Sequence, residues 1–255
     1  MLKHQEELSQ QKRLLESVLD TPSTGFWDAN LSTNQFRHSP SMLCMLGYEQ
    51  GELQVDCTTW QRLIHPQDLD FLLTSIDAHV KSRGEIPIYA KVRFRSKAGQ
   101  TVWLLCLGQV VSWSADHAPE RLAGCCIDIT QQQAAEDQNE FQRNELQQIL
   151  DAIPEYIFYK DNRNNILNCN AAAAASIGLT RDQIIGRKAS EFFQDADKYF
   201  DDDLGVLTEQ QMRLGKTERF TDLLGQERTL RVDKIPLRNP IGQYDRLVTI
   251  VADVS

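Results

Sequence analysis

The sequence predicts an α+β fold used twice: two five-stranded antiparallel sheets, each with helices gathered on one face, joined by a helical linker. Three observations predict it. In both halves, two short strand-like segments are followed by several helical ones and then by three longer strand-like runs, an order that builds one antiparallel sheet covered on one side. Landmarks also recur in the same order. Leu19-Asp20 and Leu150-Asp151, like Leu46-Gly47 and Ile177-Gly178, lie 131 residues apart; Gly99-Gln100 and Gly225-Gln226 lie 126 apart, and Asp128-Ile129-Thr130 and Asp253-Val254-Ser255 lie 125 apart. The shrinking offset indicates one shorter loop in the second copy. Finally, the stretch 131–153 between the copies has no Gly or Pro and is rich in Gln, Glu and Ala, which favours helix over flexible tether.

Bulk properties set the class. At 255 residues, 41% hydrophobic and 25% charged, the chain has the length of one large domain or two ordinary ones and a globular composition. No apolar run approaches the ~20 residues of a membrane span. Met1-Leu2-Lys3-His4-Gln5-Glu6-Glu7 lacks the apolar core of a signal peptide. A net charge of −9 argues against a nucleic-acid partner, which selects basic surfaces. The expectation is a cytoplasmic protein with no nucleic-acid partner and no membrane segment within these residues. The six cysteines, Cys44, Cys57, Cys106, Cys125, Cys126 and Cys169, form no C-x-x-C pair. Most stand among apolar or strand-forming neighbours and read as reduced, small hydrophobic side chains.

Residues 1–20 read as a helix, with Leu8, Leu15 and Val18 at a/d-like spacing and Leu14 and Leu19 widening the stripe. This stripe suits packing on a second copy or on its own domain. The first domain, 21–130, opens with strands at 25–29 and 35–39 around the turn residues Leu31-Ser32-Thr33-Asn34. A short helical piece at 40–46 stops at Gly47. The longest helix spans 66–81, with Pro66 first, Leu69, Leu72, Leu73, Ile76 and Val80 on one face, and Gly84 beyond its end. Strands follow at 88–95, 101–113 and 121–129, the first two joined by the turn Lys97-Ala98-Gly99-Gln100. After the linker 131–153, the second domain, 154–255, repeats the plan. Strands at 156–160 and 166–169 flank an Asn-rich turn, and Asn170 caps a five-alanine helix stopped by Gly178. Helical pieces are expected at 182–185, 189–193 and 196–214, and strands near 219–223, 229–237 and 246–254.

The ordered motifs resemble tandem PAS domains, the sensory modules of bacterial signalling proteins, from Leu15 to Ser255. The first copy is similar to the subgroup with a Trp…Ile-His-Pro-x-Asp motif, here Trp60 to Asp68, with Gly99-Gln100-Thr101-Val102-Trp103 and a closing Asp128-Ile129-Thr130. The second resembles the subgroup of many histidine kinases and diguanylate cyclases, through Ile153-Pro154, Tyr159-Lys160-Asp161, Asn170, Ile185-Gly186-Arg187-Lys188 and Gly215. The resemblance implies a small-molecule pocket between sheet and helices, and a last strand that leads into an output helix. Asp and Thr are good capping residues, so Asp128 and Thr130 are candidates for fixing that exit, with Asp253 as the counterpart. A further output helix and an effector, diguanylate cyclase or histidine kinase, are expected beyond Ser255. A homodimer through helices 1–20 and 131–153 is implied as well.

The chemistry tests mostly exclude. The position of the haem-ligating histidine falls on Leu73, and the second domain contains no His. Cys57 sits in Asp56-Cys57-Thr58-Thr59, without the context of a photoactive flavin cysteine. The cofactor is therefore open, with no His-ligated haem and no flavin adduct expected; Trp27, Trp60 and Trp103 leave room for flavin held without an adduct but read more simply as core. His65 beside Pro66 and Asp68 reads as a helix start. Leu214-Gly215-Lys216-Thr217 lacks the earlier glycine of a phosphate loop, Gln210 standing there. Asp201-Asp202-Asp203 lacks EF-hand spacing and reads as a solvated acidic face. With no nucleophile–base pair or metal set, no catalytic or metal-binding residue is assigned, and this stretch is not expected to be an enzyme. The pocket candidates are Trp27, Cys44, Trp60, Arg93, Asn170, Phe193 and Arg231. Leu230 and Val232 share one strand face, Arg231 and Asp233 the other. An inward Arg231 or Arg93 would pair with a ligand carboxylate. The alternative is a pair of domains filled by their own side chains that serve only dimerisation and protein–protein contact.

Overall fold

The computed structural model describes residues 21–193, 196–221 and 227–254; the helix expected over 1–20 lies outside them. Two compact units divide between residues 138 and 139. The first contains β1 (Thr24–Asn30), β2 (Gln35–His38), α1 (Pro40–Cys44), α2 (Cys57–Leu63), α3 (Pro66–Lys81), β3 (Ile88–Arg95), β4 (Thr101–Trp113) and β5 (Pro119–Asp128). Helix α4 (Thr130–Asp151) follows and contains the division point. All strand pairs are antiparallel, in the order β2-β1-β5-β4-β3.

Local chemistry sets these elements. Helix α3 starts at Pro66, whose missing N–H costs nothing there. The His65 ring accepts from the Gln67 N–H at 3.3 Å, and Asp68 lies in the first turn. The helix ends where Arg83 (φ +55°) and Gly84 (φ +92°) turn left-handed. Strand β3 alternates strictly: Ile88, Ala90, Val92 and Phe94 are buried against the helices, while Tyr89, Lys91 and Arg95 face out. Met42, Leu46, Trp60, Ile64 and Leu72 close the core from the helical side. Leu73, expected on the apolar face of α3, is 42% exposed.

The second unit contains β6 (Tyr156–Asp161), β7 (Ile166–Cys169), α5 (Ala171–Ile177), α6 (Arg181–Ile184), a 3-10 turn at Ala189–Glu191, α7 (Ala196–Glu209), β8 (Arg213–Thr221), β9 (Glu227–Arg238) and β10 (Tyr244–Asp253). Its antiparallel order, β7-β6-β10-β9-β8, repeats that of the first. The registers correspond as well: Phe26 pairs with Cys125 as Ile157 pairs with Ile250. The helix expected over 196–214 stops at Glu209, because Gln210 takes a positive φ of +57°. Strand β8 consequently begins at Arg213, six residues before the expected start.

One device is shared by both units. In the first, the Ser39 hydroxyl accepts from the Phe26 N–H at 3.1 Å. In the second, Asn170 stands in the same place and its Oδ1 accepts from the Ile157 N–H at 3.0 Å and from the Ala173 N–H at 3.0 Å. Both residues are fully buried, so each first strand is tied to the helix that follows the hairpin by a side chain that cannot be solvated instead.

Candidate functional site

The inner faces of the two sheets, each covered by its helices, differ in chemistry. In the first unit Gly108 and Gly124 pair across β4 and β5. A Cβ on either would fall 2.7 Å from Cζ2 of Trp27, so the two glycines form a floor on which the indole lies. Trp27 stacks with Phe36 at 6.4 Å, Phe36 with Trp60 at 5.7 Å, and Trp60 with Phe94 at 4.7 Å. This aromatic chain fills the space with the protein's own side chains. Cys106 and Cys126, opposite each other with Sγ atoms 3.2 Å apart, are part of the same core. Burial, and then Cys106, push the Cys126 thiol well above its usual pKa, so it stays a protonated thiol in that core. His79 is likewise a satisfied core group: its Nδ1 bonds the Ile86 carbonyl at 2.5 Å and its Nε2 accepts from the Val110 N–H at 2.9 Å. Two surface concavities lie elsewhere, around the β3–β4 turn.

The inner face of the second unit is charged. Lys160 on β6 and Lys234 on β9 are 7% and 4% exposed, and both meet the carboxylate of Asp203 on α7, itself 4% exposed. Lys160 Nζ donates to Asp203 Oδ2. Lys234 Nζ lies 2.6 Å from Asp203 Oδ1 and 2.7 Å from Asp202 Oδ2. Burial pulls the Lys160 ammonium below its usual pKa against the pull of Asp203. Burial raises the Asp202 carboxyl, but Lys234, Lys216 and Arg213 outweigh it, and the net direction is down. The acidic triplet read as a solvated face is therefore not one: Asp203 and Asp202 turn inward to lysines, and only Asp201 is exposed.

At the strand-to-helix exit of the first unit, Asp128 Oδ1 accepts from the Thr130 N–H at 2.8 Å. The Thr130 hydroxyl accepts from the Trp103 N–H at 3.0 Å, and the Trp103 carbonyl accepts from the Ile129 N–H at 2.9 Å. The first turn of α4 is thus bonded to β4. Its last turns are bonded to the second unit. Gln147 accepts from Asn168 Nδ2 and donates to the Cys169 carbonyl, and Asp151 accepts from the Ala171 N–H. Asn170 Nδ2 donates to the carbonyls of Leu150, Ile153 and Glu155 at 2.8–3.2 Å. Between these anchors Phe141, Leu146 and Ile149 are 57–63% exposed.

Of the candidates read from the sequence, Trp27 and Trp60 lie together on the inner face of the first sheet. Phe193 meets Phe158 edge-on at 5.7 Å in the second unit, and Asn170 is the buried tie described above. Cys44 is corrected: it is exposed at the end of α1. Arg93 and Arg231 are corrected too, because strand parity puts them outside. Val92 and Phe94 point in, so Arg93 points out, where it grips Asp68 through Nε at 2.9 Å and Nη2 at 2.6 Å and lies over Trp103. That guanidinium holds the Asp68 carboxyl below the usual range. Val232 and Lys234 point in, so Arg231 is exposed and nearest Asp233 at 3.9 Å. Asp253 pairs with Arg228 at 2.9 Å. The residues missed were Lys160, Lys234, Asp202, Asp203 and Thr249. A lysine in phase with Phe158 or Val232 was the available signal.

Among the described residues no helix is long and apolar enough to cross a membrane, and no cluster of His, Cys, Asp and Glu could hold a metal. Two family profiles, both described as PAS fold, match residues 35–126 and 144–254. Among solved structures, the chain is similar to a sensory box histidine kinase/response regulator from Burkholderia thailandensis E264, at 30% identity over 54% of this chain and 98% of that one, TM-score 0.46. It is also similar to the N-terminal domain of a diguanylate cyclase with PAS/PAC sensor from Marinobacter aquaeolei, at 22% identity over 43% of this chain and 98% of that one, TM-score 0.37.

Proposed function

Because the chain belongs to the PAS family and carries two PAS domains in tandem, we propose that it works as a relay, in which a change at one sheet is passed along α4 to the next. The observation that carries this reading is the double anchoring of α4. Its first turn is bonded to β4 through Thr130 and Trp103, and its last turns to β7 and α5 through Gln147, Asp151 and Asn170. A shift of β4 must strain those first bonds or move the helix with it. The exposed Phe141, Leu146 and Ile149 support a homodimer through 131–153, and the motif resemblance supports an effector of the histidine kinase or diguanylate cyclase class. The protein acts in the cytoplasm in this reading.

The filled inner face of the first unit favours a division of labour: the first domain serves contact and relay, while a ligand enters the second. Hydrogen exchange on the wild type and Thr130→Val tests the relay. Faster exchange at Trp103 and in the first turn of α4, extending to the amides of Ile157 and Ala173, is expected. A change confined to the first unit refutes transmission.

A further inference from the structure

We propose that a concavity on the outside of the first unit, at the turn between β3 and β4, binds the phosphate group of a small phosphate ester. It encloses about 350 Å³ and is lined by Tyr48, Arg62, Leu63 and the turn from Arg95 to Gly99. A volume of this order falls at the small end of the range for ligand pockets.

Three separate segments build it, and backbone bonds fix each of them. The end of α2 runs against the end of β3: Ile64 and Phe94 form an antiparallel bridge, and the His65 N–H donates to the Arg93 carbonyl at 2.8 Å. That bridge sets Arg62 beside the end of β3. Parity along β3, with Val92 and Phe94 buried, turns Arg95 outward. Ser96 closes the turn: its carbonyl accepts from the Gly99 N–H and its hydroxyl from the Gln100 N–H, both at 2.9 Å. The Lys97 N–H donates to the Leu46 carbonyl at 2.9 Å, which brings the turn against the segment that carries Tyr48. The rim is therefore in place before anything binds.

The charge of this hollow runs against that of the chain. With 36 acidic residues to 27 basic ones, the lining holds Arg62, Arg95 and Lys97 and no carboxylate. Lys97 is paired with Glu52 at 2.5 Å. The side chains of Arg62 and Arg95 have neither an ion pair nor a hydrogen bond among the described residues. Exposed and unpaired arginines occur elsewhere, as at Arg143 on α4; what marks Arg62 and Arg95 is that one concavity holds both. Two unpartnered guanidinium groups on one hollow repel each other, and their fixed forks of N–H donors match phosphate oxygens in pairs. A smaller hollow of about 130 Å³ shares Arg95 and Gly99, but its second guanidinium, Arg93, is already held by Asp68. Tyr48, Leu63 and Ala98 supply an apolar lining that inorganic phosphate would leave uncovered, which favours an ester whose organic group lies against them. Strand β4 begins two residues before Trp103 and its bond to Thr130, so an occupied turn lies close to the exit into α4. The site is outside the inner faces of both sheets, and its occupancy does not depend on the relay.

Calorimetric titration of the whole chain with adenosine monophosphate, glucose 6-phosphate, adenosine, succinate and inorganic phosphate, at one matched ionic strength, tests the assignment. Saturable binding of at least one ester is expected, with no binding of adenosine and weaker binding of inorganic phosphate and succinate. Arg62→Gln and Arg95→Gln should each weaken the ester about ten-fold or more, the loss of one charge-assisted contact. Arg143→Gln, with the same change in net charge, should leave it unaltered. Arg62 and Arg95 are exposed, so the fluorescence-detected urea midpoint should not move in either variant, and a loss of binding is then not a loss of fold. Failure of both esters to bind overturns the proposal, as does binding of inorganic phosphate or succinate as tight as that of the esters, or an equal loss in all three variants.

Discussion

Replacing Asn170 by alanine probes the joint between α4 and the second sheet. The side chain is fully buried and its amide reaches five groups: the oxygen accepts from Ile157 and Ala173, and the two N–H donors are shared among three carbonyls at the end of α4 and just before β6. Alanine removes a helix cap, worth ~1 kcal/mol. It also leaves the buried Ile157 N–H without its acceptor, at about 1–3 kcal/mol. The three carbonyls keep a second lone pair and lose less, so a total of about 2–4 kcal/mol is expected. Asn170→Ser should lose only about 1–2 kcal/mol, because a serine in the equivalent place of the first unit, Ser39, still caps the strand amide of Phe26. All four tryptophans, Trp27, Trp60, Trp103 and Trp113, lie in the first unit. Urea unfolding followed by tryptophan fluorescence therefore reports that unit alone, while far-UV circular dichroism reports both. The loss should appear as an early circular-dichroism transition with the fluorescence midpoint unmoved. Equal effects of serine and alanine, or an alanine cost below about 1 kcal/mol, would refute the assignment of a buried, multiply bonded tie.

Three further outcomes are expected. Gly124→Ala should destabilise the first unit by at least about 3 kcal/mol, the upper end for overpacking, since the new Cβ would meet the Leu107 carbonyl at 1.9 Å and Trp27 at 2.7 Å; an unchanged fluorescence midpoint would contradict the glycine floor. The Asp68 carboxyl titrates lower folded than unfolded because Arg93 holds it, so its contribution is present above the unfolded pKa and is lost as pH falls through the folded one. Asp68→Asn should flatten the acid limb of stability against pH, measured by fluorescence-detected urea midpoints, and a parallel limb in the variant would show the pair is not coupled to folding. Phe141→Ser combined with Ile149→Ser should weaken self-association in sedimentation equilibrium without lowering the stability of either unit, and an unaltered association constant would remove α4 from the dimer interface.

Repetition and alternation are local properties, and they were legible. The order of elements, the two-copy plan, the span of α3 from Pro66, and the role of Asn170 as a cap all follow from spacing and from residues with one dominant conformational use. The exit at Asp128 and Thr130 was readable for the same reason, since both are capping residues at a strand end. Alternation along β3 and β9 was also plain, but alternation gives two faces without saying which is covered. That choice depends on the helices packed above the sheet, and it turned Arg93 and Arg231 outward and Lys234 inward. Likewise three consecutive aspartates look solvated until a strand from far along the chain brings Lys234 beneath them. The sequence by itself determined the order of the elements and how often the plan is used, though not where the helix before β8 ends. Only the tertiary structure decided which buried space is filled by Trp27 and which is lined by charge, because that rests on partners tens of residues away in sequence and on a desolvation cost that no single strand carries.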